Sequence, residues 1–344
     1  MSKWFKYLLI IVGVVIITTA ATIWHIYNIL YSPIPSANDE TIIYVNEDDS
    51  LDSIAVKLEQ SVGFAHFEIF KQFATLKRYT PSRRIGRYNI ANLSIDQIVN
   101  KLRIGDQDPI NFTFISTRSI NDIIEQASRS FYQIDSLMLD SLLNNEQMIK
   151  SLGFNKSTLS ALFIPNTYEM FWTTNEITLL NRMKQEYNNF WNSDRKSKAD
   201  KIGLTPIEIA TLASIIDEES SVVSEYRRIA GVYLNRLKRG MKLEADPTLK
   251  FANNDFDAKR VLDKHKLIDS PYNTYMYAGL PPGPIRVPSL QAIEAVLNAE
   301  NHNFIFFCAN ADFSGTHVFA KTLREHNVNA NKYRKALQQR KIYR

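Results

Sequence analysis

The strongest constraint on this chain sits near its N-terminal end. Between Lys6 and Asp39 there is no Asp, Glu, Lys or Arg, and residues 7–31 read YLLIIVGVVIITTAATIWHIYNILY. In hydrocarbon every backbone polar group must be satisfied within the segment, so this run can only be a helix. At about 1.5 Å per residue it is long enough to cross a bilayer core of about 30 Å. Lys3 and Lys6 make residues 1–6 a cytoplasmic tail by the positive-inside rule. Trp4, Phe5 and Tyr7 fall at one interface and Trp24, Tyr27 and Tyr31 at the other. A cleaved signal peptide ending near residues 18–22 is the alternative, but the apolar run continues well past those small residues. The expectation is a single-pass anchor in the inner membrane, with the remainder in the periplasm. The only cysteine, Cys308, is far from any lipid-attachment position.

With one cysteine the exported part can hold no intrachain disulfide and must be stabilised by packing. The chain carries a net +5, of which Lys3 and Lys6 supply two charges. The remaining excess is dispersed, which argues against nucleic-acid binding. None of the six histidines belongs to a His-Glu-x-x-His pair, and there is no glycine-rich phosphate loop. No metal site and no cofactor are expected.

Hydrophobic periodicity predicts a mixed α+β chain. Residues 32–40 are a polar, proline-bearing linker. A strand at 42–46, a helix from Ser50, a second near 66–77, a strand within 85–90 and a helix over 94–102 ending before Gly105 make a small α/β module at 40–105. Beyond a polar break, 110–344 is expected to fold as a mixed α/β domain. It opens with a strand at 110–115 and a mostly helical, one-sidedly polar stretch over 118–160. A proline and an aromatic cluster interrupt the pattern at 160–172, a helix follows at 176–192, and DRKSKADK at 194–201 reads as a charged surface connection. Residues 270–288 hold five prolines and two glycines and cannot be regular; a long loop of this kind in a compact domain is usually functional. A short helix over 289–298, a β-hairpin built from NFIFFCA and GTHVFA, and a basic helix over 321–341 complete the pass.

The stretch 206–220, PIEIATLASIIDEES, carries the chemistry. Thr205 and Glu208 form a capping box and Pro206 takes the first helical position. At about 100° per residue, Ile209, Leu212, Ile215 and Ile216 share one stripe. Glu219 projects from that stripe, whereas Asp217 and Glu218 fall about 130° to either side of its centre. A carboxyl on an apolar face is costly to ionise, so its pKa rises and it can hold a proton near neutral pH, as a general acid must. The following segment, with Ile229, Val232, Tyr233 and Leu237 on one stripe and Gly240 past its end, reads as a second helix.

TLASIIDEES, GVYLNRLKRGMKL, ADPT at 245–248, YNTY at 272–275, GLPPGPI at 279–285, THVF at 316–319 and FIPNTYEMF at 163–171 together resemble the endolytic murein transglycosylases, the MltG or YceG-like family. Residues 40–105 resemble that family's LysM-like glycan-binding module. The resemblance implies that Glu219 is the catalytic residue. Asp217 stands where the family has its first glutamate, and Glu218 where it has a basic residue; both make the surroundings more negative and are expected to raise the Glu219 pKa further. It also implies a lytic transglycosylase that cleaves nascent glycan strands near the inner membrane, in partnership with peptidoglycan synthases. One carboxyl suffices for that chemistry, because the muramic acid 6-hydroxyl attacks its own anomeric carbon and closes a 1,6-anhydro ring. Asn235, Asp246, Thr248, Tyr272, Asn273, Tyr275 and His317 are candidate substrate-binding or supporting groups, with His317 also readable as a core histidine. Two other readings stay open: a muramidase-type hydrolase pairing Glu219 with a second carboxylate such as Asp246, and a non-catalytic glycan-binding scaffold for wall synthases.

Overall fold

The computed structural model describes residues 3–256 and 262–340. The apolar run forms one helix, α1 (Lys3–Tyr31), long and apolar enough to cross a membrane, and its most apolar stretch is not buried by the rest of the protein. The chain divides into two compact units.

The first unit contains α1 and runs to residue 111, and it also takes in residues 131–133 and 168–174. β1 (Ile42–Val45) pairs antiparallel with β2 (Gly86–Asn89), Ile43 opposite Tyr88. Between them lie α2 (Leu51–Val62), which Ser50 starts through a capping box with Ser53, and α3 (Phe67–Leu76). α4 (Ile95–Ile104) begins at a second capping box, Ser94 with Gln97, and ends at Gly105, whose φ of +79° closes the helix without a side-chain clash. Ile43, Val45, Ile54, Leu58, Phe70, Tyr88, Ile98 and Leu102 form its core, and Leu30 at the end of α1 joins them. The division between the units runs through two further strands, β3 (Ile110–Phe114) and β4 (Asn166–Met170).

The second unit is mainly helical. α5 (Ile120–Ser130), α6 (Ser136–Asn144), α7 (Glu146–Ser151) and α8 (Glu176–Phe190) precede α9 (Ser193–Ile202). α9 occupies the stretch expected to be a surface connection: Asn192 caps its start, Gly203 its end, and Ala199 is its one buried residue. α10 (Pro206–Glu219) carries the expected capping box. It is buried from Ile209 through Ile216 on all sides, not along one stripe, because Ala210, Ala213 and Ser214 are small enough for neighbours to close on the other face. α11 (Tyr226–Lys238), the short α12 (Asp246–Ala252) and α13 (Leu290–Leu297) pack about it. β5 (Phe306–Ala309) and β6 (His317–Ala320) form the hairpin, with Phe307 opposite Phe319, and α14 (Leu323–Gln339) follows.

Candidate active site

α10 emerges from the core only in its last turn, and there its three acids diverge. Asp217 accepts from both the backbone N–H and the hydroxyl of Ser289, each at 2.6 Å, which ties α10 to the cap of α13. Glu218 receives two hydrogen bonds from Arg118, both at 2.8 Å, and one from Arg286 at 2.6 Å. Glu219 alone lines a cleft of about 390 Å³, together with Tyr233, Arg236, Asp246, Tyr275, Phe307 and His317.

Burial pushes the Glu219 carboxyl up to about 7. The Tyr233 hydroxyl, donating to Oε1 at 2.8 Å, opposes the rise, as do Lys250 and Arg236; the charge of Asp246 adds to it. The expectation that Asp217 and Glu218 supply the negative surroundings is thereby corrected. Arginines neutralise Glu218, Ser289 holds Asp217, and the like charge felt at Glu219 comes from across the cleft.

The other sequence candidates separate into two groups. Asp246, Tyr275 and His317 line the cleft. Tyr275 donates to Asp246 at 2.6 Å, and the His317 ring nitrogen and backbone N–H meet Glu225 at 2.8 and 2.9 Å. The remaining four build walls outside it. Asn235 donates to the carbonyls of His302 and Phe304. Thr248 is fully buried against Ala245 and Thr274. Asn273 is also fully buried, and holds the loop through the carbonyls of Lys266 and Ile268. Tyr272 packs on Phe251.

Sequence reasoning missed three contributors. Tyr233 was placed with the aliphatic stripe of α11, yet a phenol among aliphatics needs a hydrogen-bond partner, and that was the available signal. The nearly buried Arg236 donates to the carbonyls of Ile305, Leu243 and Lys242, fixing one rim of the cleft. Glu225 orients His317 from the start of α11, and no sequence spacing announces it.

A half-buried acid, hydrogen-bonded on one oxygen and facing a polar cleft from the end of a rigid helix, has the arrangement an acid–base site requires. The model of the YceG-like family matches residues 43–332, and the chain belongs to that family. It is 35% identical over 183 residues to the endolytic murein transglycosylase of Bacillus subtilis, covering 52% of this chain and 50% of that protein. It is 26% identical over 328 residues to the endolytic murein transglycosylase of Streptococcus pneumoniae, covering 85% of this chain and 58% of the relative. The chain thus spans about half the length of the curated relatives it matches. In fold it is similar to the crystal structure of a YceG-like protein from Listeria monocytogenes, with a TM-score of 0.55 and 24% identity over 85% of this chain and 99% of that one.

Proposed function

We propose that the protein is a membrane-anchored endolytic lytic transglycosylase of peptidoglycan, with Glu219 as its one acid–base catalyst. The observation that carries this reading is the Glu219 carboxyl at the polar cleft, hydrogen-bonded by Tyr233 and raised to about 7 by desolvation. Tyr233 occupies Oε1, so the proton sits on Oε2. As acid, Glu219 protonates the glycosidic oxygen of the leaving N-acetylglucosamine while the bond to the muramic acid anomeric carbon breaks. As base, it then takes the 6-hydroxyl proton while that oxygen bonds to the same carbon. An intramolecular nucleophile brings a high effective molarity, which reduces what the protein must supply. The Bacillus subtilis and Streptococcus pneumoniae relatives are named endolytic murein transglycosylases, which supports the substrate class.

One observation favours a hydrolase as the second reading: Asp246 shares the cleft and acts electrostatically on Glu219. Its bond to Tyr275 argues for a supporting role instead. A hydrolase needs a carboxylate that activates water, and its products carry reducing ends. In this proposal residues 40–105 are a LysM-like module and 110–344 the catalytic domain. The Lys3 and Lys6 bias puts the N-terminus in the cytoplasm and the cleft in the periplasm, at the inner membrane, where peptidoglycan synthases are the expected partners.

The test is Glu219→Gln, which is nearly isosteric but cannot shuttle a proton. Release of 1,6-anhydro-muropeptides from purified murein, followed by mass spectrometry, should fall by roughly 10²–10⁴ or more, with circular dichroism unchanged. Near-normal release by the folded variant overturns the site; reducing ends in place of anhydro ends select the hydrolase.

A further inference from the structure

The FIPNTYEMF segment is a family motif that Glu219 chemistry leaves unused, and the residue that follows it is Trp172. Within the first unit Trp172 stands between two tyrosines from separate parts of the chain. Its ring centroid lies 4.5 Å from that of Tyr132 and 4.8 Å from that of Tyr44 on β1. Tyr132 donates its backbone N–H to the Trp172 carbonyl at 2.9 Å, which sets the register of these two rings. A cluster serving packing alone would be covered, yet Tyr44 is 42% exposed and Tyr132 41%, and Phe171 beside them is 53% exposed. The Tyr44 and Tyr132 hydroxyls make no hydrogen bond among the described residues. The ammonium group at this strand, Lys57, donates to the Tyr44 carbonyl at 2.7 Å and is paired with Asp49.

We propose that Tyr44, Trp172 and Tyr132 form a glycan-binding platform, a second saccharide site carried by the first unit. The inference rests on peptidoglycan being the substrate, as proposed above. A pyranose ring presents one face of C–H bonds and a rim of hydroxyl and acetamido groups. Tyrosine and tryptophan match both parts, with an apolar face and a polar tip. Two large apolar side chains left half in water, with polar tips still to satisfy, are the composition of a recognition surface. With Lys57 paired to Asp49, and Arg87, the cross-strand neighbour of Tyr44, paired to Glu40, the rings suit an uncharged polyol and not a phosphate head group, which draws on unpaired cations. Two of the three rings come from segments 131–133 and 168–174, so the platform is not a property of residues 40–105 alone.

The experiment uses the full chain in detergent, in the Glu219→Gln background so that the ligand stays intact. Binding to purified murein sacculi and to a β-1,4-linked N-acetylglucosamine hexamer is measured for Tyr44→Leu, Tyr132→Leu and the corresponding Phe variants. The Leu variants should bind roughly tenfold more weakly, while the Phe variants, which keep the ring, stay within a few-fold of the parent. With Glu219 restored, the Leu variants should release fewer anhydro products from sacculi but act normally on a short soluble glycan fragment. Folded Leu variants that bind sacculi like the parent overturn the platform. So does quenching of tryptophan fluorescence by brominated phospholipid in nanodiscs that is smaller in Trp172→Phe than in the parent, which makes this a membrane-facing surface. A parent chain that cleaves nothing removes the enzymatic reading instead, and the binding comparison still decides the platform.

Discussion

At the scale of single residues, the site turns on how one carboxyl is kept protonated without losing its ability to ionise. Burial raises Glu219 to about 7, and the Tyr233 hydroxyl works against that rise by stabilising the charged form. In the proposed mechanism the acid step needs protonated Glu219, so kcat/KM should fall as pH rises through about 7. Tyr233→Phe removes the hydrogen bond that favours the carboxylate. The pKa of Glu219 then rises, and the alkaline limb of the profile should move to higher pH, with a lower maximum because the carboxyl is no longer oriented. A profile that keeps its position while its height falls would mean that Tyr233 only packs. Helical phase separates Glu219 from Asp217 and Glu218, and the three do diverge: Glu219 lines the cleft, Asp217 meets Ser289 and Glu218 meets the arginines. The phenolic partner of Glu219 lies on another helix, and no spacing within one segment reports which side chain from a different segment will meet it.

At the scale of elements, most of the architecture is written in local signals. The capping boxes at Ser50, Ser94 and Thr205 each start a helix where the sequence placed one. What escaped was short or had little apolar surface. α9 buries one alanine, so its signal is its two caps and not periodicity; α12 is seven residues long, and β4 lies directly behind Pro165 in an aromatic cluster. The prolines of 270–288 keep that loop irregular, as their spacing predicts, but no local signal reports how it is anchored. Ile285 N–H donates to the Ser214 hydroxyl at 3.0 Å and Arg286 to Glu218, so the loop is fastened to α10 just ahead of Glu219. Gly283 is required for this approach, because a Cβ there would lie 1.9 Å from the Ser157 carbonyl oxygen, backbone against backbone. Gly283→Ala should therefore cost about 1–3 kcal/mol, the range for forced overpacking. In a domain of this size that lowers the melting temperature by about 2–4 °C per kcal/mol. Gly279→Ala supplies the contrast. It meets no atom within 4 Å and suffers only from its φ of +90°, so its loss should reflect backbone strain without moving Ile285 from Ser214. Equal melting of wild type and Gly283→Ala would mean that the loop is not held against residues 155–158.

At the scale of the whole molecule, the decisive element is α1. A helix of this length spans about 44 Å, more than a hydrocarbon core of about 30 Å, so its ends must lie outside it. The C-terminal end is not a free tether, since Leu30 enters the core formed by β1, β2 and the helices of the first unit. In the proposed topology the side of the membrane that receives Tyr31 therefore also receives the first unit. Lys3 and Lys6 stand before the apolar run, and no other Lys or Arg occurs before Lys57. Charge counted close to the helix ends sets orientation, and on that rule the proposed topology has the N-terminus in the cytoplasm. Alkaline phosphatase fused after Arg344 should accordingly be active, and a fluorescent protein that matures only in the cytoplasm should stay dark at the same position. Changing Lys3 and Lys6 to glutamate removes the bias, and phosphatase activity should drop as part of the population inserts the other way. A fusion active only in the cytoplasm, in the unaltered chain, would place Glu219 where no murein exists and would remove the enzymatic reading together with the topology.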